Sequence, residues 1–194
     1  MQKPAETAVP IHPLLASRWS PRAYDETYQI SETDLLAILE AGRWAPSSNN
    51  LQPWFFSIAR HGDELFERIS HEGLNGFNAA WAPRASAYLV ISATTTTAEG
   101  EPYRPAPYDC GLAAMSMIFE AESRGITTHQ IGGFNRETLP FILGLPETVT
   151  PQIVITLGKA ASPEILEGGA KDRETAPRQR KSLDEIVLHG APKL

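Results

Sequence analysis

Cysteine is nearly absent from this 194-residue sequence: Cys110 stands alone. A disulfide framework within the chain is excluded, and so is a zinc site built on several cysteines. No run approaches the ~18 consecutive apolar residues of a membrane helix. The N-terminal M-Q-K-P-A-E-T-A-V-P lacks the apolar stretch of a secretory signal, so the expected address is the cytoplasm. Basic charge is not in excess either: 17 Lys and Arg face 23 Asp and Glu, a net charge of −6. That balance argues against a general nucleic-acid or anionic-membrane partner. The five histidines show no H-x-x-x-H or H-E-x-x-H spacing, so no metal site is expected. G-x-S-x-G, G-x-x-x-x-G-K-[ST] and G-x-G-x-x-G are all missing. The chain thus shows no hydrolase elbow, no P-loop and no dinucleotide fingerprint.

What is present fits one ordinary globular domain. Hydrophobic residues make up 42% of the chain. A chain this long buries roughly 70% of its unfolded surface without needing a staple. Ser31 caps a predicted helix over 31–44 with an apolar stripe at Leu35, Leu36, Ile38 and Leu39, stopped by Pro46. A short helix is expected within 11–19 and another over 63–70. Residues 54–59, 86–93 and 152–158 read as strands, and 126–131 as a short extended segment. Residues 94–107 carry three prolines and a glycine and read as a loop. Residues 108–124 are small or apolar nearly all round, which predicts a buried central helix ended by Gly125. Another short helix is expected over 136–143. The pattern is that of a three-layer α/β or α+β fold. The tail from 159 has little core of its own, beyond Leu183, Ile186, Val187 and Leu188, and needs a surface to lie on.

Four segments could carry chemistry. In R-W-S-P-R, alternate residues of an extended stretch share a face, so Arg18, Ser20 and Arg22 could meet a phosphate. A solvated basic turn is the other reading. In A-P-S-S-N-N-L-Q-P-W, Ser47, Ser48, Asn49, Asn50 and Gln52 offer donors and acceptors between two prolines, for a polar heteroaromatic ligand or for an ordinary turn. In H-Q-I-G-G-F, Gly132 and Gly133 could let backbone N–H groups approach a ligand. R-Q-R-K, residues 178–181, reads by itself as a solvated basic cluster. Cys110, near the start of the central helix, reads as a small buried residue rather than a reactive thiol.

Taken in order, these segments resemble the nitroreductase-like FMN-dependent oxidoreductase family. R-W-S-P-R is similar to its R-x-S-x-R/K, and P-S-S-N-N-L-Q-P-W to its P-S-S-x-N-x-Q-P-W. G-G-F, L-G-L-P, I-T-L-G and R-Q-R-K-S-L-D-E-I-V follow at the matching places, so the resemblance spans about residues 11–190. It implies a single domain over 1–194: a three-layer α/β/α sandwich around a mainly antiparallel sheet, in an intertwined homodimer whose tail, about 159–194, packs on the partner. It implies FMN as cofactor, NAD(P)H as co-substrate and a small-molecule acceptor such as a nitroaromatic, quinone or activated enone. Another flavin reaction on the same fold, or a flavin carrier without turnover, is the alternative.

By the same resemblance, Arg18, Trp19 and Ser20 would form the phosphate end of the cofactor site, with Arg178 and Arg180 from the tail. Arg22 would face the N1/O2 side of the ring. Pro46, Ser47, Ser48 and Asn50 would come from the other subunit. Asn78 would meet the pyrimidine edge, and Gly132 and Gly133 would lie near N5 and O4. No side chain is expected to act as acid, base or nucleophile. Two features depart from the pattern. Some members carry a lysine three residues after the asparagine matched by Asn78, where this chain has Trp81. The chain also lacks a long insertion at 94–107, so a reduced cover over the flavin is expected.

Overall fold

The computed structural model describes residues 2–97 and 99–190; residue 98 of the expected loop and the last four residues of the expected tail lie outside that range. The elements follow in the order α1 Pro13–Ser17, α2 Glu32–Arg43, β1 Trp54–Arg60, α3 Glu64–Arg68, α4 Gly76–Ala79, β2 Ala87–Thr94, α5 Ala106–Ser123, β3 Thr127–Ile131, α6 Thr138–Ile142, β4 Val149–Gly158, α7 Gly168–Thr175 and α8 Leu183–Ile186.

The four strands form one sheet in the order β1-β2-β4-β3, with every neighbouring pair antiparallel. β2 is buried at every residue before Thr94 because it is covered on both faces. Successive strand side chains point to opposite faces. Leu89 and Ile91 pack with Leu35 and Ile38 of α2 and Ala113 and Met117 of α5. Tyr88 and Val90 pack on the other face with Phe66, Trp81, Leu139 and Ile142. These two cores on one sheet make the expected three-layer sandwich.

The caps explain where helices begin. Ser31 Oγ accepts the Asp34 N–H at 3.1 Å and donates to the Asp34 carboxylate at 2.7 Å, fixing the start of α2. α2 and α5 approach closely at Gly42, where an added Cβ would lie 2.0 Å from the Met117 methyl carbon. α5 starts two residues before the expected position. Pro107 falls in its first turn, where a missing N–H costs nothing, so the proline does not delay the helix. Gly125, at φ +66, ends it as expected.

Several short elements have no counterpart in the sequence reading, α8 among them. α3 continues as a π turn over Ile69–Gly73, α4 is a single turn, and α7 forms from G-G-A-K-D-R-E-T. No helix among the described residues is long and apolar enough to cross a membrane.

Candidate active site

At one end of the molecule, Arg18 leaves α1 and turns back over its own segment. Its Nη1 donates to Ser20 Oγ at 3.3 Å, and Ser20 Oγ donates to Gln130 Oε1 at 3.4 Å. Arg18, Arg178 and Arg180 line one open cleft of about 1420 Å³ with Gln130 and the apolar Leu15, Met115, Ile118 and Leu183. Burial first, then the charge of Arg178, lowers the Arg18 guanidinium from its ordinary value; Glu122 opposes and Arg180 adds to the lowering. Glu122 is itself half-buried, and burial raises its carboxyl above the usual range. Among the described residues, none of the three arginines forms an ion pair. Three crowded cations, none within ion-pair distance of a carboxylate among the described residues, are a donor set that could hold an anion.

The three are not equivalent. Arg178 Nη1 donates to the backbone oxygens of Lys3 and Ala16, at 2.7 and 2.8 Å. Much of its donor capacity therefore ties the two ends of the chain together. Arg180 is exposed and donates to Gln179 O at 2.7 Å. Trp19 packs under Lys3, whose Nζ lies 4.5 Å from the ring centroid.

Arg22 parts from Arg18, although spacing places both on one face. Its guanidinium carbon lies 5.8 Å from the Phe77 ring and 5.9 Å from the Trp81 ring, and its Nη1 is 4.0 Å from Glu174. The separation follows from how the segment is pinned. Pro21 O accepts from His129 Nδ1 at 2.9 Å, and the Arg22 and Ala23 N–H groups donate to Glu174 at 2.8 and 3.2 Å. Burial, and then Arg22 and Arg18 behind the opposing Pro21 bond, lowers the His129 imidazole to about 4. It is neutral at ordinary pH and serves as a fixed donor.

Asn78 and the glycine pair meet nearby. Asn78 Nδ2 donates to Gly133 O at 3.1 Å, and a Cβ on Gly133 would lie 2.8 Å from that nitrogen. Gly132 and Gly133 are exposed, and neither N–H forms a hydrogen bond within the described residues. Trp81 is fully buried against Tyr24 and His129, with ring centroids 6.4 and 4.5 Å away, and its Nε1 has no partner.

The remaining residues sit elsewhere. Pro46, Ser47, Ser48 and Asn50 form a loop over the first turns of α5. Ser48 N–H donates to both Asp109 oxygens, at 3.2 and 3.3 Å, and Ser47 Oγ accepts from Gln52 N–H at 3.0 Å. Asn49, Asn50 and Gln52 all adopt positive φ, at 50, 56 and 47°. Three non-glycine residues in the left-handed region store strain, as ligand-binding loops often do. The loop is held at Asp109, whereas the arginine cleft is lined at Met115 and Ile118. Nine residues of helix separate Asp109 from Ile118, about 13 Å.

Sequence reasoning passed over Asp109, Gln130, Lys3 and Glu174, and weighed His129 only as a metal ligand. None carries a local motif; each is brought in by the tertiary fold. Cys110 is buried, and its thiol is pushed up to about 12 by burial and then by Asp109, which agrees with an inert residue. No group of His, Cys, Asp or Glu that could hold a metal occurs among the described residues.

The model of the nitroreductase family matches residues 15–83 and 68–159. A protein of Archaeoglobus fulgidus, provisionally named NADH dehydrogenase/NAD(P)H nitroreductase, is 32% identical over 149 residues, 75% of this chain and 82% of its own. A solved structure described as an oxidoreductase containing FMN is 29% identical, with a TM-score of 0.88 over 96% of this chain and 94% of that one. A Desulfovibrio desulfuricans structure solved in complex with FMN shares the fold at 21% identity, with a TM-score of 0.74 over 95% of this chain and 100% of that one. The chain belongs to the nitroreductase family.

Proposed function

We propose that the protein is an FMN-dependent NAD(P)H oxidoreductase that works as a homodimer in the cytoplasm. The observation that carries this reading is the unpaired cluster of Arg18, Arg178 and Arg180 beside Ser20, a donor set suited to a phosphate monoester dianion. The glycine pair supports it. A Cβ on Gly133 would push Asn78 Nδ2 out of its present place, and the free N–H groups of Gly132 and Gly133 suit the acceptor edge of a flat heterocycle. The likeness to the FMN-containing oxidoreductase structure supports the same cofactor.

When bound, FMN would supply the redox chemistry, hydride transfer between NAD(P)H and an electron-poor acceptor such as a nitroaromatic, quinone or activated enone. The chain binds and orients. Arg18, Arg180 and the Ser20 hydroxyl hold the phosphate, while Arg178 and Trp19 brace that end. Asn78 fixes the Gly133 carbonyl, leaving its own Oδ1 to accept. Arg22 supplies positive charge on the pyrimidine side, where two-electron reduction leaves negative charge. No proton transfer by a side chain is required.

The second subunit enters through distance. The Pro46–Asn50 loop lies over the first turns of α5 and the arginine cleft is lined from its second half, so a second copy is proposed to bring its loop to this chain's cleft. The exposed Leu183, Ile186 and Leu188 of the tail support a partner surface. Anaerobic addition of NADH or NADPH to the FMN-loaded protein tests the reading. Bleaching of the flavin bands, with colour restored by an acceptor, is expected. A bound flavin that neither nucleotide bleaches would favour the carrier.

A further inference from the structure

We propose that Glu174 of α7 is a positioning residue of the flavin site, holding Arg22 in place and setting how much of its charge a bound flavin feels. The proposal rests on the FMN reading above. Glu174 is 2% exposed. Its two carboxylate oxygens accept the consecutive N–H groups of Arg22 and Ala23, at 2.8 and 3.2 Å. The same carboxylate lies 4.0 Å from Arg22 Nη1, beyond hydrogen-bond length but well within electrostatic reach.

A buried carboxylate is an expensive way to anchor a helix, because desolvating the ion costs several kcal/mol before its bonds are counted. An apolar residue would hold α7 against the core as well. Ala170 and Glu174 are the buried residues of α7: Ala170 joins the apolar core, and Glu174 supplies the buried polar contact. The contact is made to the backbone of Arg22 itself.

The rest of the surroundings leaves Arg22 without another anion. Its Nε is buried without a partner. Phe77 and Trp81 flank its guanidinium, and Arg173, 4.3 Å from the Phe77 ring, adds a like charge. Burial lowers the Arg22 guanidinium from its ordinary value, and Glu174 is the largest opposing influence. Glu174 therefore does two things. Its backbone contacts aim Arg22, and its charge partly screens the cation.

The test separates these effects with three variants: Glu174→Gln, Glu174→Ala and Arg22→Ala. FMN dissociation constants come from quenching of flavin fluorescence, two-electron midpoint potentials from dye equilibration, and melting temperatures check the fold. Glu174→Gln keeps an acceptor and removes the charge. It should bind FMN near the wild-type level and shift the potential positive by about 30 mV, a tenfold greater preference for reduced over oxidised FMN. Glu174→Ala should weaken FMN binding at least tenfold. Arg22→Ala leaves both backbone bonds to Glu174 and should shift the potential negative. A Gln variant that melts lower with its potential unchanged would overturn the proposal. An unmoved potential in Arg22→Ala would overturn it too, even if neither Glu174 variant folds. Wild-type protein that fails to bind FMN would instead overturn the FMN reading.

Discussion

The Ser48 backbone N–H is shared between both oxygens of the Asp109 carboxylate, at 3.2 and 3.3 Å, and the Tyr103 hydroxyl donates to the same group at 3.1 Å. Asp109 is 1% exposed, so this buried carboxylate clamps a strained surface loop onto α5. Replacing it with alanine removes the acceptor of the Ser48 N–H and leaves the Tyr103 hydroxyl only Ser48 O at 3.4 Å, a loss of about 1–3 kcal/mol. Asp109→Ala should lower the melting temperature by roughly 5 °C or more. FMN binding should fall at least tenfold, because the Ser47–Asn50 donors lose their frame. Asp109→Asn, which keeps one acceptor, should show about half the thermal loss. Calorimetry and flavin titration check both.

The arginine cleft predicts a graded series. Arg18→Ala and Arg180→Ala each remove a charge-assisted donor from the proposed phosphate site, so together they should weaken FMN binding at least a hundredfold. Riboflavin, which lacks the phosphate, should bind the wild type weakly and the double variant no worse. Arg178→Ala should lower the melting temperature more than the other two, because Arg178 joins Lys3 O to Ala16 O. Equal FMN affinity for wild type and the Arg18/Arg180 double variant would remove the phosphate assignment.

His129 gives a pH dependence of known sign. Its imidazole is lowered from 6.5 to about 4 in the fold, so the unfolded chain binds more protons between those values. Its stabilising contribution is whole above about pH 6.5 and is lost as the pH falls through about 4. The loss amounts to about 3 kcal/mol at most. His129→Asn keeps a donor for Pro21 O without a titrating ring, and its stability should decline less between pH 6.5 and 4. Urea melts across that range measure the difference.

Trp81 is built into the core, and a lysine in its place should fail. The indole is fully buried and packs against Tyr24 and His129. Trp81→Lys would open a cavity and bury an unpaired ammonium beside Arg22, costing about 3–5 kcal/mol. Denaturant unfolding should show that loss, with no gain in FMN affinity. A stable Trp81→Lys variant that binds FMN more tightly would show that a second cation fits there.

The parts legible from sequence were those with a local cause. The Ser31 cap and the stripe through Leu35 and Ile38 placed α2, and the mostly apolar run at 86–93 placed the doubly covered β2. Arg18, Ser20 and Arg180 were marked by motif, and the cleft brings Arg18 and Arg180 together. α7 was missed because its sequence has two glycines and no apolar stripe; it forms where Glu174 meets the Arg22 and Ala23 N–H groups, about 150 residues away. Arg22 was expected beside Arg18 from alternation alone. The bonds from His129, Glu174 and Ala161 to its segment turn it toward Phe77 instead. Asp109 was seen only as part of the central helix, since nothing near it in sequence points to the Ser48 loop.

The central claim is that one FMN site joins the arginine cleft of one chain to the Ser47–Asn50 loop of another. Co-expression of two differently tagged variants tests it most directly. One carries Arg18→Ala and Arg180→Ala; the other carries Ser47→Ala, Ser48→Ala and Asn50→Ala. The tandem-purified mixed dimer should contain one intact site and one doubly damaged site. It should bind one FMN per dimer, while each variant alone binds little. A mixed dimer that binds no more FMN than its parents, beside a wild type that binds it well, would contradict a site shared between subunits.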